Sequence, residues 1–177
     1  LHEHGRVGAG LEALGQIVEA RLNSYFGVTA KRIIGETATV TTIERVADGL
    51  DLEFGVPVPY TPWLKLYGSG FWYDFKKFDD KFGWKTRLEA RVNEAIRLEV
   101  YTWDDNKGER EVGGRIRFNV VFNSIFDFKG AFIKFSPEPF PKKDLEKELL
   151  IPVERNFEIT VEKYTTSSGL LVEAGRS

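Results

Sequence analysis

The chain has 177 residues, enough for one domain of ordinary size, and its formal net charge of −2 gives no basic face of the kind a nucleic-acid partner needs. It contains no Cys, which removes disulfides and Cys-based metal sites. No run approaches the ~18 apolar residues of a transmembrane helix. Spans made of alternating strands stay open, because they score low on hydropathy. No signal peptide opens the chain and no Met occurs in it, so the expectation is that Leu1 is not the natural start and that sequence lies upstream.

Taken in chain order, the dominant signal is alternation with a period of two. Val7, Ala9, Leu11 and Ala13 alternate with Arg6, Gly8, Gly10 and Glu12; Val18, Ala20 and Leu22 with Glu19, Arg21 and Asn23. Leu50, Leu52, Phe54 and Val56 alternate with Asp51, Glu53 and Gly55; Leu64 and Leu66 with Lys65 and Tyr67. Trp84, Thr86, Leu88, Ala90 and Val92 alternate with Lys85, Arg87, Glu89 and Arg91; Ile96, Leu98 and Val100 with Arg97, Glu99 and Tyr101. The last run sets Ile116, Phe118, Val120 and Phe122 against Arg115, Arg117, Asn119 and Val121. This predicts about seven strands of roughly nine to eleven residues, long enough to cross a bilayer when tilted. Trp63, Phe71, Trp72 and Tyr73 blur the fourth strand at its ends, where interfacial aromatics are expected; Gly68, Gly70, Gly113 and Gly114 predict bends or a close approach.

Connections alternate in length. Short turns are predicted at 14–16, 59–62 and 93–95, and long charged connections at 28–49, 74–82 and 103–110. That parity is the mark of an up-and-down barrel. After Phe122 the pattern breaks. Residues 123–141 are irregular and rich in Pro, 142–149 favour a short helix ended by Pro152, and 156–164 with 170–174 form a possible hairpin.

The fold expected is therefore all-β: an antiparallel up-and-down transmembrane β-barrel, partial here, with a short C-terminal helix and an extended tail. Residues 1–122 would be barrel strands and 123–177 a linker or plug leading toward a passenger. Glu19, Arg21, Asp51, Glu53, Lys65, Lys85, Arg87, Glu89, Arg91, Arg97, Glu99, Arg115 and Arg117 would form a polar ladder facing the lumen. Leu52, Phe54, Leu64, Leu66, Leu88, Leu98, Val100, Ile116 and Phe118 would face lipid. The rival is a soluble antiparallel sheet or β-sandwich binding module with one wet face. Such a module needs a second layer over its apolar faces, and no long amphipathic helix is present to supply one.

Several stretches resemble the inverse autotransporter β-domain, the family of intimin and invasin. They are Gly10-Leu11-Glu12-Ala13-Leu14-Gly15 leading to Glu19-Ala20-Arg21-Leu22-Asn23, Pro59-Tyr60-Thr61-Pro62-Trp63-Leu64-Lys65-Leu66-Tyr67-Gly68, Arg87-Leu88-Glu89-Ala90-Arg91 with Ile96-Arg97-Leu98-Glu99-Val100, and Gly113-Gly114-Arg115-Ile116-Arg117-Phe118. The most specific is Pro152-Val153-Glu154-Arg155-Asn156-Phe157-Glu158-Ile159, which resembles the segment following the barrel. The resemblance spans most of residues 5–163 in the family's order. It departs in size: the family barrel has about twelve strands, so the remaining strands would lie upstream.

The resemblance implies a bacterial outer-membrane anchor and translocator whose C-terminal passenger, usually an adhesin, is exported through the lumen as a hairpin. Pro152, Val153, Glu154, Arg155 and Asn156 would be the threaded linker. The implied partners are outer-membrane lipid, the barrel-insertion machinery, and a host or surface receptor reached through a passenger outside this chain. Phe118, Val120 and Phe122 resemble the aromatic-terminated signal read by the insertion machinery, beside the plainer reading of a last strand with an interfacial Phe. A passive porin-like channel is the alternative, with the tail left in the periplasm or added to the sheet.

No enzyme and no cofactor is expected. His2-Glu3-His4 has metal-ligating residue types but is read as an incidental, frayed terminus. Asp104 to Glu109 lacks the full set of a calcium loop and reads as a charged hairpin tip. Glu89 and Glu99 each sit among Arg residues and read as charge neutralisation rather than an acid–base pair. Gly8-Ala9-Gly10 lies in a strand, not at a phosphate-binding turn.

Overall fold

A computed structural model of the chain describes residues 4–29, 31–37, 39–92, 96–118, 133–143, 145, 159–167 and 170–173. The strands are β1 (Arg6–Leu14), β2 (Glu19–Gly27), β3 (Arg32–Glu36), β4 (Val40–Val46), β5 (Asp48–Val58), β6 (Thr61–Asp74), β7 (Lys81–Arg91), β8 (Ile96–Asp105), β9 (Glu111–Phe118), β10 (Val161–Ser167) and β11 (Leu170–Glu173). Seven of them make one antiparallel sheet in the order β1-β2-β5-β6-β7-β8-β9, an up-and-down meander interrupted only by the β3–β4 hairpin. The chain is all-β in its described strands, and a seven-stranded sheet of this kind is part of a β-barrel wall.

The alternation sets the register. Leu22 lies opposite Leu52, Leu66 opposite Leu88, Leu88 opposite Val100 and Leu98 opposite Ile116. On the other face Arg21 meets Glu53, Lys65 meets Glu89 and Glu99 meets Arg115. A one-residue slip would drive every charge onto the apolar face, so the pairing is strongly specified.

The expected parity of connections holds. At one end lie the turn closed by Gly15 N–H to the Val18 carbonyl (2.9 Å), the Pro59–Tyr60 turn, and the turn closed by Val92 N–H to the Ile96 carbonyl (3.1 Å). At the other end lie residues 28–47, 75–80 and 106–110. Tyr60 has φ 64°, a left-handed conformation at a position that ordinarily takes Gly. Relief of ~1–2 kcal/mol of crowding outweighs the ~0.5–1 kcal/mol entropic cost of a glycine. Tyr60→Gly is therefore expected to raise unfolding stability by ~0.5 kcal/mol in urea titrations, and a loss of stability would show that the Tyr60 ring supplies more than the backbone costs.

The structure differs from the sequence reading in several places. The connection 28–49 is not an irregular loop: it folds into the β3–β4 hairpin. The tail hairpin forms, with β10 paired to β11, but it also adds to β4, giving a second sheet in the order β11-β10-β4-β3. The alternation of β6 is not blurred. Trp72 is on the exposed face, while Phe71 and Tyr73 lie on the charged face, where Tyr73 stacks on Tyr25 and Phe71 touches Trp103. Gly68 and Gly70 sit on the open apolar face with space around them and mark no close approach; Gly113 does, beneath the Tyr101 ring. Of the helix expected over 142–149, Lys142 and Lys143 are irregular and Leu145 is helical; the rest lies outside the described residues.

Candidate functional site: the charged face and the tail that meets it

The seven-stranded sheet is inside-out relative to a soluble protein. Leu52, Leu88 and Leu98 are each 39 % exposed and Ile116 is 61 % exposed, whereas Arg87, Glu89 and Glu99 are each 3 % exposed. Phe54, Leu66, Val100 and Phe118 are exposed with them; Leu64 is half-buried. Among the described residues no second layer covers the aliphatic face. Phe26, Trp72, Phe82 and Trp84, all exposed, gather on it toward the end bearing the long connections, the position of an interfacial girdle.

On the opposite face the charges form a continuous chain from one sheet edge to the other. Arg21 donates to Glu12 of β1 (2.8 Å), to Glu19 (2.8 Å) and to Glu53 of β5 (2.8 Å). Arg87 of β7 donates to Glu53 (2.8 Å), Glu89 (3.1 Å) and Glu99 of β8 (3.3 Å). Glu99 is also paired with Arg115 (3.8 Å) and Arg117 (3.6 Å) of β9, and Glu89 with Arg97 (3.5 Å). Glu89 and Glu99 lie directly opposite each other, an unfavourable pairing by itself. Arg87 resolves it by reaching both. Asp51 accepts from Tyr25 (2.6 Å) and Asn23 (2.9 Å), and the Lys85 ammonium lies over the Tyr101 ring (4.6 Å). Arg91 is half-buried on the same face.

Tyrosines build the spaces between these charges. Tyr25, Tyr67, Tyr73 and Tyr101 each lie directly across from a glycine: Gly8, Gly55, Gly49 and Gly113. A Cβ on Gly55 would stand 2.3 Å from the Tyr67 ring, so only glycine lets that ring lie flat against the wall. Tyr67 then carries Arg87 at 4.0 Å and Arg21 at 5.3 Å from its centroid. This device bridges β2, β5, β6 and β7, and sequence reading missed it. The signal was there in the aromatic–glycine register pairs, but it needs the strand pairing to be visible.

The tail meets this face at both ends. At the short-turn end, Ser136 N–H donates to the Tyr60 carbonyl (2.9 Å), Tyr60 N–H to Pro139 (2.9 Å), and Lys143 N–H to Gln16 (3.2 Å). The Lys143 ammonium, with Lys65 (2.6 Å), hydrogen-bonds Glu19, a residue only 2 % exposed that also accepts from Tyr67 (3.2 Å). At the long-connection end, Ala47 N–H donates to the Thr160 carbonyl (3.0 Å) and β10 runs along β4. Glu12 and Tyr67, which alternate with apolar residues but were not placed in the ladder, and Lys143 are further contributors to the site.

Of the remaining predicted positions, Val120, Phe122, Pro152, Val153, Glu154, Arg155 and Asn156 lie outside the described residues, as do His2 and Glu3. His4 is not frayed: its Nε2 is 3.0 Å from a Glu44 oxygen on β4. Asp105 and Asn106 shape the hairpin tip, with Asp105 accepting from Lys107 N–H (2.8 Å).

An exposed aliphatic face, a buried charged face and up-and-down connectivity together define a wall of a transmembrane β-barrel. The model of the family "Inverse autotransporter, beta-domain" matches residues 1–86, just under half of the chain, and over that span the chain is similar to this family. Domains of that family are outer-membrane β-barrels of type V secretion, with an anchoring and secretion role. No curated protein matches the chain. A solved chain from a study titled "Unveiling the Mechanism Behind the in-meso Crystallization of Membrane Proteins" shares the fold, with a TM-score of 0.68 and 16 % identity, over 89 % of this chain and 67 % of that one.

Proposed function

We propose that residues 1–122 supply barrel wall and that residues 123–177 thread its lumen, holding a C-terminal, adhesin-type passenger outside the cell. The observation that carries this reading is the tail's attachment at opposite ends of one charged face: Lys143 on Glu19 at the short-turn end, Thr160 on Ala47 at the other. At about 3.3 Å per residue, residues 144–158 have ample reach for the ~30 Å of hydrocarbon. An extended run has unpaired backbone groups that a polar lumen satisfies and lipid does not. In this reading the short turns face the periplasm and the long connections face out. The aliphatic face meets outer-membrane lipid, the ladder from Glu12 to Arg117 lines the lumen, and the end of β9 is offered to the barrel-insertion machinery.

A membrane-impermeant maleimide on whole cells carrying Val172→Cys tests this. Labelling without permeabilisation is the expected result; labelling only after the outer membrane is opened would place the tail in the periplasm and favour the porin-like alternative. In planar bilayers, Lys143→Ala in the intact protein is expected to raise conductance by loosening the tail from Glu19. The triple replacement of Arg87, Arg91 and Arg117 by Ala is expected to raise it further, and unchanged conductance in both would count against a plugged lumen.

A further inference from the structure

Among the described residues, Glu162 of β10 is the most enclosed carboxylate of the tail, 1 % exposed. It takes three backbone N–H groups from consecutive residues of the β6–β7 connection: Lys76 (3.1 Å) on one oxygen, Lys77 (2.7 Å) and Phe78 (3.1 Å) on the other. Successive N–H groups converging in this way make a concave anion site, and hydrogen bonds to a charged acceptor are among the strong ones. The Phe78 and Tyr164 rings, 6.5 Å apart and edge to face, close the same contact one side chain further along.

The pairing of β10 with β4 fixes only weakly where the tail stops. Thr165 faces Thr42, Thr166 faces Thr41 and Ser167 faces Val40, all small or β-branched; Tyr164 faces Ile43, and Glu162 and Lys163 face Arg45 and Glu44, with the Lys163 ammonium 3.7 Å from the Glu44 carboxylate. A partly exposed ion pair of this kind contributes little, and the Thr-rich stretch specifies register weakly. A slip by two residues would keep the Thr-rich pairing and lose the partly exposed Lys163–Glu44 pair, while carrying Glu162 about 7 Å along the strand, out of reach of all three donors. The main-chain ladder supplies adhesion; it does not select a register.

We propose that the 76–78 connection is a carboxylate latch and that Glu162 is the positioning residue that stops the tail in one register at the exit of the barrel. The proposal rests on the threaded reading above. The latch acts through backbone donors, so it depends on the N–H of Lys77 and not on the Lys77 ammonium.

Hydrogen exchange on the intact protein in outer-membrane vesicles, read together with Val172→Cys labelling, tests it. Glu162→Gln keeps the shape and removes the charge; Glu162→Asp keeps the charge and shortens the reach. Both are expected to speed exchange at Lys77 and Phe78 and along β10 at least about tenfold, with β5 to β8 unchanged. Lys77→Pro, which leaves no amide at position 77, is expected to do the same at Phe78 and along β10, whereas Lys77→Ala is expected to leave exchange at Phe78 and β10 as in the parent. Unchanged exchange in Glu162→Gln, or an effect of Lys77→Ala as large as that of Lys77→Pro, would overturn the latch while external labelling at position 172 still upheld threading. Loss of external labelling in the parent protein would overturn threading and the latch together.

Discussion

Arg87→Ala is expected to cost about 3 kcal/mol of barrel stability, the lower end of the range for breaking a buried ion pair. Arg87 is the only described residue that links Glu53, Glu89 and Glu99, with distances of 2.8, 3.1 and 3.3 Å, and its guanidinium also lies on Tyr67. Removing it leaves Glu89 and Glu99 opposed across β7 and β8 without the cation between them. Water entering the cleared space softens the penalty, which is why the lower figure applies. The companion change, Arg115→Ala, removes a side chain 43 % exposed at 3.8 Å from Glu99 and is expected to cost no more than about 1 kcal/mol. Urea unfolding of the protein in lipid vesicles measures both. Equal effects would mean that the ladder is a set of independent surface pairs rather than a network organised on Arg87.

Leu52→Arg is expected to cost about 2–4 kcal/mol, the magnitude for a cation placed near the bilayer midplane on a barrel's outer face, while Val112→Arg is expected to cost about 0–1 kcal/mol. Leu52 lies near the middle of β5 and pairs with Leu22; Val112 lies near the end of β9 at the long connections. In water both positions would tolerate Arg almost equally, since both are already exposed. The depth dependence is therefore the diagnostic, read as the difference in unfolding free energy between the two variants. A small and equal effect would remove hydrocarbon as the medium around Leu52.

Much of the fold was legible because both faces carry strong, opposite chemistry. Leu88 and Arg87 are neighbours whose environments differ as much as two residues can, and alternation makes that visible in one dimension. The β3–β4 hairpin escaped because Thr41, Thr42 and Ile43 lie in a strand half-buried on both sides, so no period of two was written into it. The aromatic positions of β6 were misjudged for the opposite reason. Phe71 and Tyr73 are apolar residues on the charged face, where they fill space above Gly83 and Gly49 and break the simple rule of polar-in, apolar-out.

From its order of residues alone the chain determined which side of each β-strand is charged, where strands end, and which connections are long, because those properties depend on neighbours within a few residues. Only the tertiary structure decided that Arg87 serves three carboxylates from different strands, that tyrosines lie on glycines across the ladder, and that the tail is held by Glu19 at one end and by residues 76–78 at the other. These contacts join residues far apart in the chain, and a hydrogen-bond acceptor made of backbone-bound carboxylate, or a donor set made of backbone N–H groups, leaves no mark in side-chain identity until the strands are aligned.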